Sequence, residues 1–158
     1  MDERKRRSKE QEKRVAKELN GKTQPASGAL WAAKADVRSD LFLVECKTTL
    51  KDSYRLTFNT WNKVYNEALK DGMRVPVMCI ELEGGRTKLA VMRTDDLNGY
   101  ISYVINTAKV PSYLLNSSIG NSLRGLTFTL HDKKTGKEFL LQAFPWNKFL
   151  EQVVTSYK

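Results

Sequence analysis

The chain has 158 residues, of which 41% are hydrophobic, and its 27 Lys and Arg against 18 Asp and Glu give a formal net charge of +9. This size and composition suit one compact domain over residues 1–158, and the charge favours a polyanionic partner, either nucleic acid or an anionic membrane surface. No stretch approaches the ~20 apolar residues of a membrane-spanning helix, and the first residues lack the apolar core of a signal peptide, so we expect an intracellular protein.

The N-terminal segment is predicted to be a basic helix over residues 3–19, ended by Asn20-Gly21. Such a helix either contacts a polyanion or presents a solvated face that aids solubility, and its sequence fits both interpretations. A membrane-surface role is disfavoured, because the apolar stripe of the helix is narrow. The cations of residues 4–14 are Arg4, Lys5, Arg6, Arg7, Lys9, Lys13 and Arg14.

Glu12 lies on the apolar stripe of this helix. It precedes Val15, Ala16 and Leu19 by three, four and seven residues, which places all four side chains on one helical face. A carboxylate on a buried face is costly unless a cation meets it. Glu12 is therefore a candidate site residue, and the alternative is a glutamate that reaches solvent or pairs with a nearby arginine.

Turn residues and periodicity then mark a loop, two strands and a helix. Residues 22–29 read as a loop, since they contain Pro25, Ser27 and Gly28. Two strands, over residues 30–37 and 41–48, are joined by a tight turn at 38–40. A helix follows over residues 58–70, and Gly72 ends it.

The second half of the chain is predicted to contain two hairpins and two helices. The first hairpin pairs residues 74–83 with 88–97 around Gly84-Gly85, and the second covers 126–144 with its turn at 134–136. A helix is predicted over Leu97–Ala108, and residues 110–125 are polar and turn-rich. The C-terminal helix has Pro145 in its first turn. Helices interspersed with strands indicate a mixed α/β domain.

The two cysteines, Cys46 and Cys79, lie in apolar strand-like runs without metal-ligand or disulfide spacing. We expect both to be free, buried thiols. Strand alternation turns Cys46 away from the face that carries its charged neighbours, so a reactive role is disfavoured.

The strand over residues 41–48 ends in two charges, Glu45 and Lys47, which share one face of the strand. If this strand pairs with the preceding one, Asp36 comes close to Glu45. Adjacent carboxylates repel unless a cation lies between them, and oxygen ligands of this kind suit Mg²⁺. The alternative is an exposed cross-strand pair of Glu45 and Lys47, worth less than about 1 kcal/mol.

This arrangement resembles the PD-(D/E)XK nuclease superfamily and, within it, the archaeal-type Holliday-junction resolvases, including those carried by phages. The resemblance rests on Glu12, "PASGA" at Pro25–Ala29, Asp36-Val37 and "VECKTT" at Val44–Thr49, and it covers roughly the first 83 residues. It implies an α/β fold with a restriction-endonuclease-like core, in which a central mixed sheet is flanked by helices. Residues 84–158 would complete the sheet or form a dimer surface.

The resemblance also implies the roles of individual residues. It makes Asp36 and Glu45 metal-binding carboxylates, Lys47 the catalytic lysine, and Glu12 the third acidic residue of the site. Ser27 matches a serine in a mobile loop that assists cleavage. The implied cofactor is Mg²⁺, for which Mn²⁺ would substitute. The usual Pro-Asp of the superfamily is Ala35-Asp36 here, a tolerated change because the proline binds no metal.

The implied activity is the resolution of four-way DNA junctions by paired symmetric nicks, which requires a homodimer with two sites. The resemblance also implies that the protein is cytoplasmic. If the gene is carried by a phage, this is the cytoplasm of the host cell. Two alternatives stay open: a nuclease of the same superfamily that acts on duplex, flap or mismatched DNA, and a DNA-binding module without catalysis.

Basic residues near the predicted site are expected to contact DNA phosphates without reading base sequence. Apolar residues of Leu97–Val104 and of the C-terminal helix are candidates for the dimer surface. The expected DNA-binding residues are Arg4, Lys5, Arg6, Arg7, Lys22, Lys34, Arg38, Lys51 and Arg55.

Overall fold

The computed structural model describes residues 2–24, 35–97, 103–122 and 125–157, and for residues 103–107 it describes the main chain only. Ser27 and Lys34, two residues predicted to lie at the site, therefore fall outside the described residues. Within the described ranges the chain is an α/β protein, in which a large mixed sheet is flanked by helices.

The helices begin and end where local capping predicts. Helix α1 (Glu3–Glu18) is capped by the Asp2 carboxylate, which accepts a hydrogen bond from the Arg4 main-chain N–H at 3.0 Å. Helix α2 (Phe58–Lys70) is capped by the Thr57 hydroxyl. Helix α3 (Trp146–Lys148) follows Pro145 and continues directly as a π-helix over Phe149–Val154.

Eight of the ten strands in the described ranges form one sheet, in the order β1-β2-β3-β5-β6-β10-β9-β7. Neighbours in this sheet are antiparallel except β3 with β5 and β7 with β9. Strands β4 and β8 form a separate antiparallel ribbon. The strands are β1 (Lys22–Thr23), β2 (Val37–Arg38), β3 (Phe42–Thr48), β4 (Ser53–Thr57), β5 (Val75–Leu82), β6 (Thr87–Arg93), β7 (Tyr103–Val110), β8 (Ser112–Asn116), β9 (Gly125–His131) and β10 (Glu138–Pro145).

Each face of the sheet has its own hydrophobic cluster. On one face, α1 and the C-terminal helix pack on the sheet through residues such as Val15 and Phe149, and Val44 points into this cluster. On the other face, α2 and the β4–β8 ribbon pack through Trp61 and Leu56, both fully buried. Burial of apolar surface on both faces of the sheet supplies the main stabilisation of this arrangement.

Several predicted elements are confirmed. Helix α2 has the predicted bounds, α1 ends one residue earlier than predicted, and both hairpins pair as expected through β5–β6 and β9–β10. Strands β2 and β3 pair antiparallel through the turn at Ser39, whose N–H donates to the Phe42 carbonyl at 2.9 Å. The described part of the first predicted strand is short, and Asp36 precedes β2 in a bend rather than ending a strand.

The prediction of a helix over Leu97–Ala108 is wrong, because residues 103–110 form strand β7. This strand pairs in parallel with β9, and a main-chain irregularity between Ile105 and Lys109 shifts their register. The turn-rich reading of residues 110–125 also missed strand β8, whose partner β4 lies almost 60 residues away in the chain. Both errors concern pairings between distant segments, which local composition does not encode.

Three of the apolar residues predicted to form a dimer surface lie in the core instead. Leu97, Phe149 and Val153 are at most 2% exposed, because they belong to the core on the α1 face of the sheet. They are therefore not available to a second chain. None of the described helices combines the length and the apolar character that crossing a membrane requires.

Candidate functional site

The site lies at the edge of the sheet, where the pairing of β2 with β3 stops. Val37 is the partner of Val44, so the next position in this register would set Asp36 opposite Glu45. The Asp36 N–H donates to the Val44 carbonyl at 3.1 Å, and the Asp36 carboxylate accepts a hydrogen bond from the Cys46 N–H at 2.8 Å. The carboxylate is thereby held beside the main chain of β3, next to Glu45.

Glu45 and Lys47 share one face of β3, as alternation predicts. Leu43, two residues before Glu45, packs with Ala68 of α2, whereas Cys46 packs on the α1 cluster. The Lys47 ammonium lies 3.4 Å from a carboxylate oxygen of Glu45, whose side chain is 15% exposed. The pair is therefore partly enclosed rather than the fully solvated surface pair of the alternative interpretation.

Glu12 reaches the same place from α1. Its carboxyl group lies beside that of Asp36, and Asp36 in turn lies beside the Glu45 carboxyl, close enough in each pair to share a proton. Asp36 thus lies between a carboxylate from the α1 side of the sheet and one from the α2 side. The three acidic residues predicted from the sequence therefore lie next to one another in the structure.

Gln11 fixes the position of α1 at this site. Its side-chain amide, buried at 1% exposure, donates hydrogen bonds of 3.0 Å to the main-chain carbonyls of Lys47 and Cys79. These carbonyls belong to the neighbouring parallel strands β3 and β5, so one side chain connects the helix to both. Because Gln11 precedes Glu12 directly, these two hydrogen bonds also fix the position along β3 at which the Glu12 side chain meets Asp36.

Burial, together with the neighbouring Asp36 carboxylate, raises the pKa of Glu12 and of Glu45. Burial is the main cause for Glu45, and the nearby Asp36 carboxylate adds to it, raising its pKa from 4.5 to about 7. Burial also raises the pKa of Glu12 to about 7, reinforced by its hydrogen bond to Asp36. Near neutral pH the cluster therefore retains protons, which a positive charge placed among the oxygens would displace.

Lys47 is a cation in this environment. Burial lowers its pKa, but the negative charge of Glu45 outweighs this effect, and the net shift is upward. Burial also raises the pKa of Tyr54, so this phenol stays protonated beside the lysine. Lys47 is accordingly suited to stabilising negative charge and is a poor proton acceptor.

The donor set fits a hard divalent cation, because it consists of carboxylate oxygens at a partly enclosed position. In the described ranges, no group of three or more His, Cys, Asp and Glu side chains converges on one point as ligands of an ion would. The contacts run pairwise through Asp36 instead. Binding an ion would require Glu12 and Glu45 to exchange their hydrogen bonds to Asp36 for contacts with that ion.

The predicted basic residues are distributed around this edge of the sheet. Of the residues on α1, Arg7 is half-buried and Arg6 pairs with Glu3. Arg38 forms an ion pair of 3.1 Å with Asp71, and Arg55 donates to the Ser112 hydroxyl at 3.1 Å. The exposed members of the set in the described ranges are Arg4, Lys5, Arg6, Lys22, Arg38, Lys51 and Arg55.

Sequence reasoning missed three contributors to this region. Gln11 lies one turn before Val15, so the apolar stripe extended by a turn would have identified it as a buried polar residue. Tyr54 was missed with strand β4. The buried Glu81 on β5, which pairs with Arg14, gave no local signal, since the pairing joins segments far apart in the chain.

Fold and site together define an α/β protein with an acidic cluster and a lysine at the edge of a mixed sheet. Comparison of the chain with models of known protein families and with curated proteins gives no match.

Proposed function

We propose that the protein is a metal-dependent endodeoxyribonuclease of the PD-(D/E)XK type that resolves four-way DNA junctions. The observation that carries the proposal is the contact of Glu12, Asp36 and Glu45 through Asp36, with Lys47 beside Glu45. Three carboxylates from separate elements, held by main-chain and side-chain hydrogen bonds, are unfavourable for stability alone. Such an arrangement is typical of a site that receives a cation.

Each residue has a role in this proposal. Glu12, Asp36 and Glu45 would hold Mg²⁺ or Mn²⁺, which when bound would lower the pKa of water and neutralise charge on the phosphodiester. Lys47, kept cationic by Glu45, would stabilise the charge that develops on the phosphate oxygens. The Asp36 carboxylate is oriented by the Cys46 N–H, and Gln11 holds the helix that carries Glu12.

The wider features of the protein agree with a DNA substrate. The net charge is +9, and exposed cations such as Lys22 and Lys51 lie on segments that adjoin the site. Contacts of this kind bind the phosphate backbone and select for DNA shape over base sequence. A restriction-endonuclease-like arrangement of the sheet and a homodimer that cuts two strands symmetrically belong to the same proposal.

The test is cleavage of a labelled four-way junction in Mg²⁺, with duplex, flap and single-stranded DNA as comparison substrates. Glu45→Gln should reduce junction cleavage on the order of 100-fold or more, while DNA binding survives. Glu10→Gln is the matched control, because it removes an exposed carboxylate from α1 and should leave cleavage unchanged. Paired symmetric nicks on the junction alone are expected from the unaltered protein.

The outcomes separate the alternatives. Equal cutting of plain duplex would replace junction resolution by a general or repair nuclease activity. Undiminished cutting by Glu45→Gln would show that the chemistry lies elsewhere. Tight DNA binding without cutting in either Mg²⁺ or Mn²⁺ would favour a non-catalytic DNA-binding module.

A further inference from the structure

A polar cavity of about 460 Å³ lies at the sheet edge next to the acidic cluster. It is formed where β1 and the turn after β2 face the end of α2. Among the described residues, the cationic side chains that line it are Lys22, Arg38 and Arg74, and Asp40 contributes a carboxylate. The cavity is separate from the cluster of Glu12, Asp36 and Glu45, and none of these three residues lines it.

The two arginines of this cavity are held in place by Asp71. The Arg38 Nε lies 3.1 Å from one carboxylate oxygen of Asp71, and an Arg74 Nη lies 3.3 Å from the other. Arg74 is further fixed by hydrogen bonds to the main-chain carbonyls of Ser39 and Asp71, at 2.7 and 2.6 Å. Side chains fixed in this way lose little conformational entropy when they bind a ligand.

The charges of this region favour an anion. Three cations, Lys22, Arg38 and Arg74, stand against two carboxylates, Asp40 and Asp71, which leaves a net charge of +1. Asp71 is mostly occupied by the arginines, and its side chain is 16% exposed, whereas that of Arg38 is 44% exposed. The surface offered to a ligand is therefore rich in hydrogen-bond donors, and guanidinium groups match the geometry of phosphate oxygens.

The cavity has a defined position relative to the site. Lys22 is the strand partner of Arg38, and two residues earlier the Asp36 carbonyl accepts a hydrogen bond from the Gln24 N–H at 2.9 Å. Two residues span at most about 7 Å of main chain. A phosphate held in the cavity would therefore lie close, along the same strand, to the phosphate at the acidic cluster.

We infer that this cavity binds a backbone phosphate of the DNA strand that neighbours the phosphate at the acidic cluster. Lys22 and Arg38 contact the phosphate, and Arg74 with Asp71 positions Arg38. The inference rests on the proposed function, and it assigns these two cations to one defined phosphate.

The test compares two double variants that lower the net charge equally. Lys22→Gln with Arg38→Gln removes the cavity cations, and Lys133→Gln with Lys134→Gln removes two exposed lysines from the β9–β10 turn, at the other side of the sheet. The dissociation constant for a fluorescent four-way junction is measured at several salt concentrations in EDTA, which prevents cleavage. Loss of the contact to this one phosphate should lower the slope of log Kd against log salt by about 0.9 in the cavity variant only.

A second measurement locates the phosphate. Single methylphosphonate substitutions, each of which removes one backbone charge, are placed one, two and three nucleotides to either side of the cleavage position. One substitution beside the cleavage position should weaken binding by the unaltered protein and have no effect on the cavity variant. The single variant Lys22→Gln serves if Arg38→Gln fails to fold, and its slope should also fall, by at most about 0.9.

Two negative results have different meanings. An unchanged slope in the cavity variant, or an equal decrease in both double variants, overturns the assignment of the cavity and leaves the proposed nuclease activity standing. Failure of the unaltered protein to bind or cut any of the DNA substrates overturns both proposals.

Discussion

Replacement of Glu45 by glutamine should stabilise the metal-free protein at alkaline pH. The Glu45 carboxyl is raised to a pKa of about 7 by burial and by the charge of Asp36, so its ionisation above pH 7 costs folding free energy. A carboxyl with a raised pKa contributes its full stability below the unfolded value of 4.5, and this contribution is lost as the pH rises through about 7. Glutamine preserves the size of the side chain and removes the ionisation.

The magnitude follows from the pKa difference. One pKa unit corresponds to about 1.4 kcal/mol, so a change from 4.5 to about 7 amounts to about 3 kcal/mol for an isolated Glu45. The gain in folding free energy is smaller than this, because Glu12 competes for the same protons through Asp36 and because Lys47 loses its 3.4 Å ion-pair partner. A net gain of about 2 kcal/mol at pH 8 is expected, and a chain of this length then gains about 4–8 °C in Tm.

Thermal unfolding in EDTA at pH 5 and pH 8 measures this effect, with Glu10→Gln as the control for removal of an exposed carboxylate. The Tm difference between Glu45→Gln and the unaltered protein should be near zero at pH 5 and positive at pH 8. Added Mg²⁺ should stabilise the unaltered protein more than the variant. A Glu45→Gln protein that is less stable at pH 8, or equally shifted at both pH values, would refute the reasoning.

Three further predictions concern the surroundings of the site. Gln11→Leu leaves two buried main-chain carbonyls without their donor and should lower the free energy of unfolding by about 1–3 kcal/mol, measured by urea denaturation; an unchanged urea midpoint would contradict the anchoring role. Gly21→Ala should cost about 1–3 kcal/mol in the same urea denaturation, because its new methyl group would lie 2.6 Å from the Arg38 carbonyl oxygen; an unchanged midpoint would contradict this close approach. Burial raises the pKa of the Cys46 thiol well above 9.0, so iodoacetamide at pH 8 should alkylate it slowly until the protein unfolds. Mass spectrometry measures the alkylation, and rapid alkylation of the folded protein would contradict this prediction.

Much of the fold was predictable where neighbouring residues decide it. Thr57 and Gly72 bracket α2, and the glycines at 84 and 85 join β5 to β6, so these elements follow from capping and turn chemistry. The pairings of β4 with β8 and of β7 with β9 depend on segments that meet only in the folded chain. Residues 97–108 show why the strand was missed, since the spacing of their apolar residues fits helix and strand patterns alike.

The candidate site was predictable to a similar extent. Alternation along β3 placed Glu45 with Lys47, and helical spacing placed Glu12 on the buried stripe of α1. The bend at Asp36 was not predictable, because it depends on a hydrogen bond from the Cys46 N–H that forms only when β2 ends early. Metal binding and junction resolution stay predictions that the experiments above address.

The hydrogen bond between Asp36 and Cys46 also covers a donor at the edge of β3, which should disfavour self-association. Where β2 ends, the outer edge of β3 would expose an unpaired N–H, and such an edge can recruit a strand from another molecule. The Asp36 carboxylate covers that N–H and places negative charge beside it. Asp36→Ala would therefore open a strand edge as well as remove a carboxylate, and its aggregation could be mistaken for a loss of activity. Asp36→Asn keeps an acceptor oxygen at the edge and is the better variant for testing the chemistry.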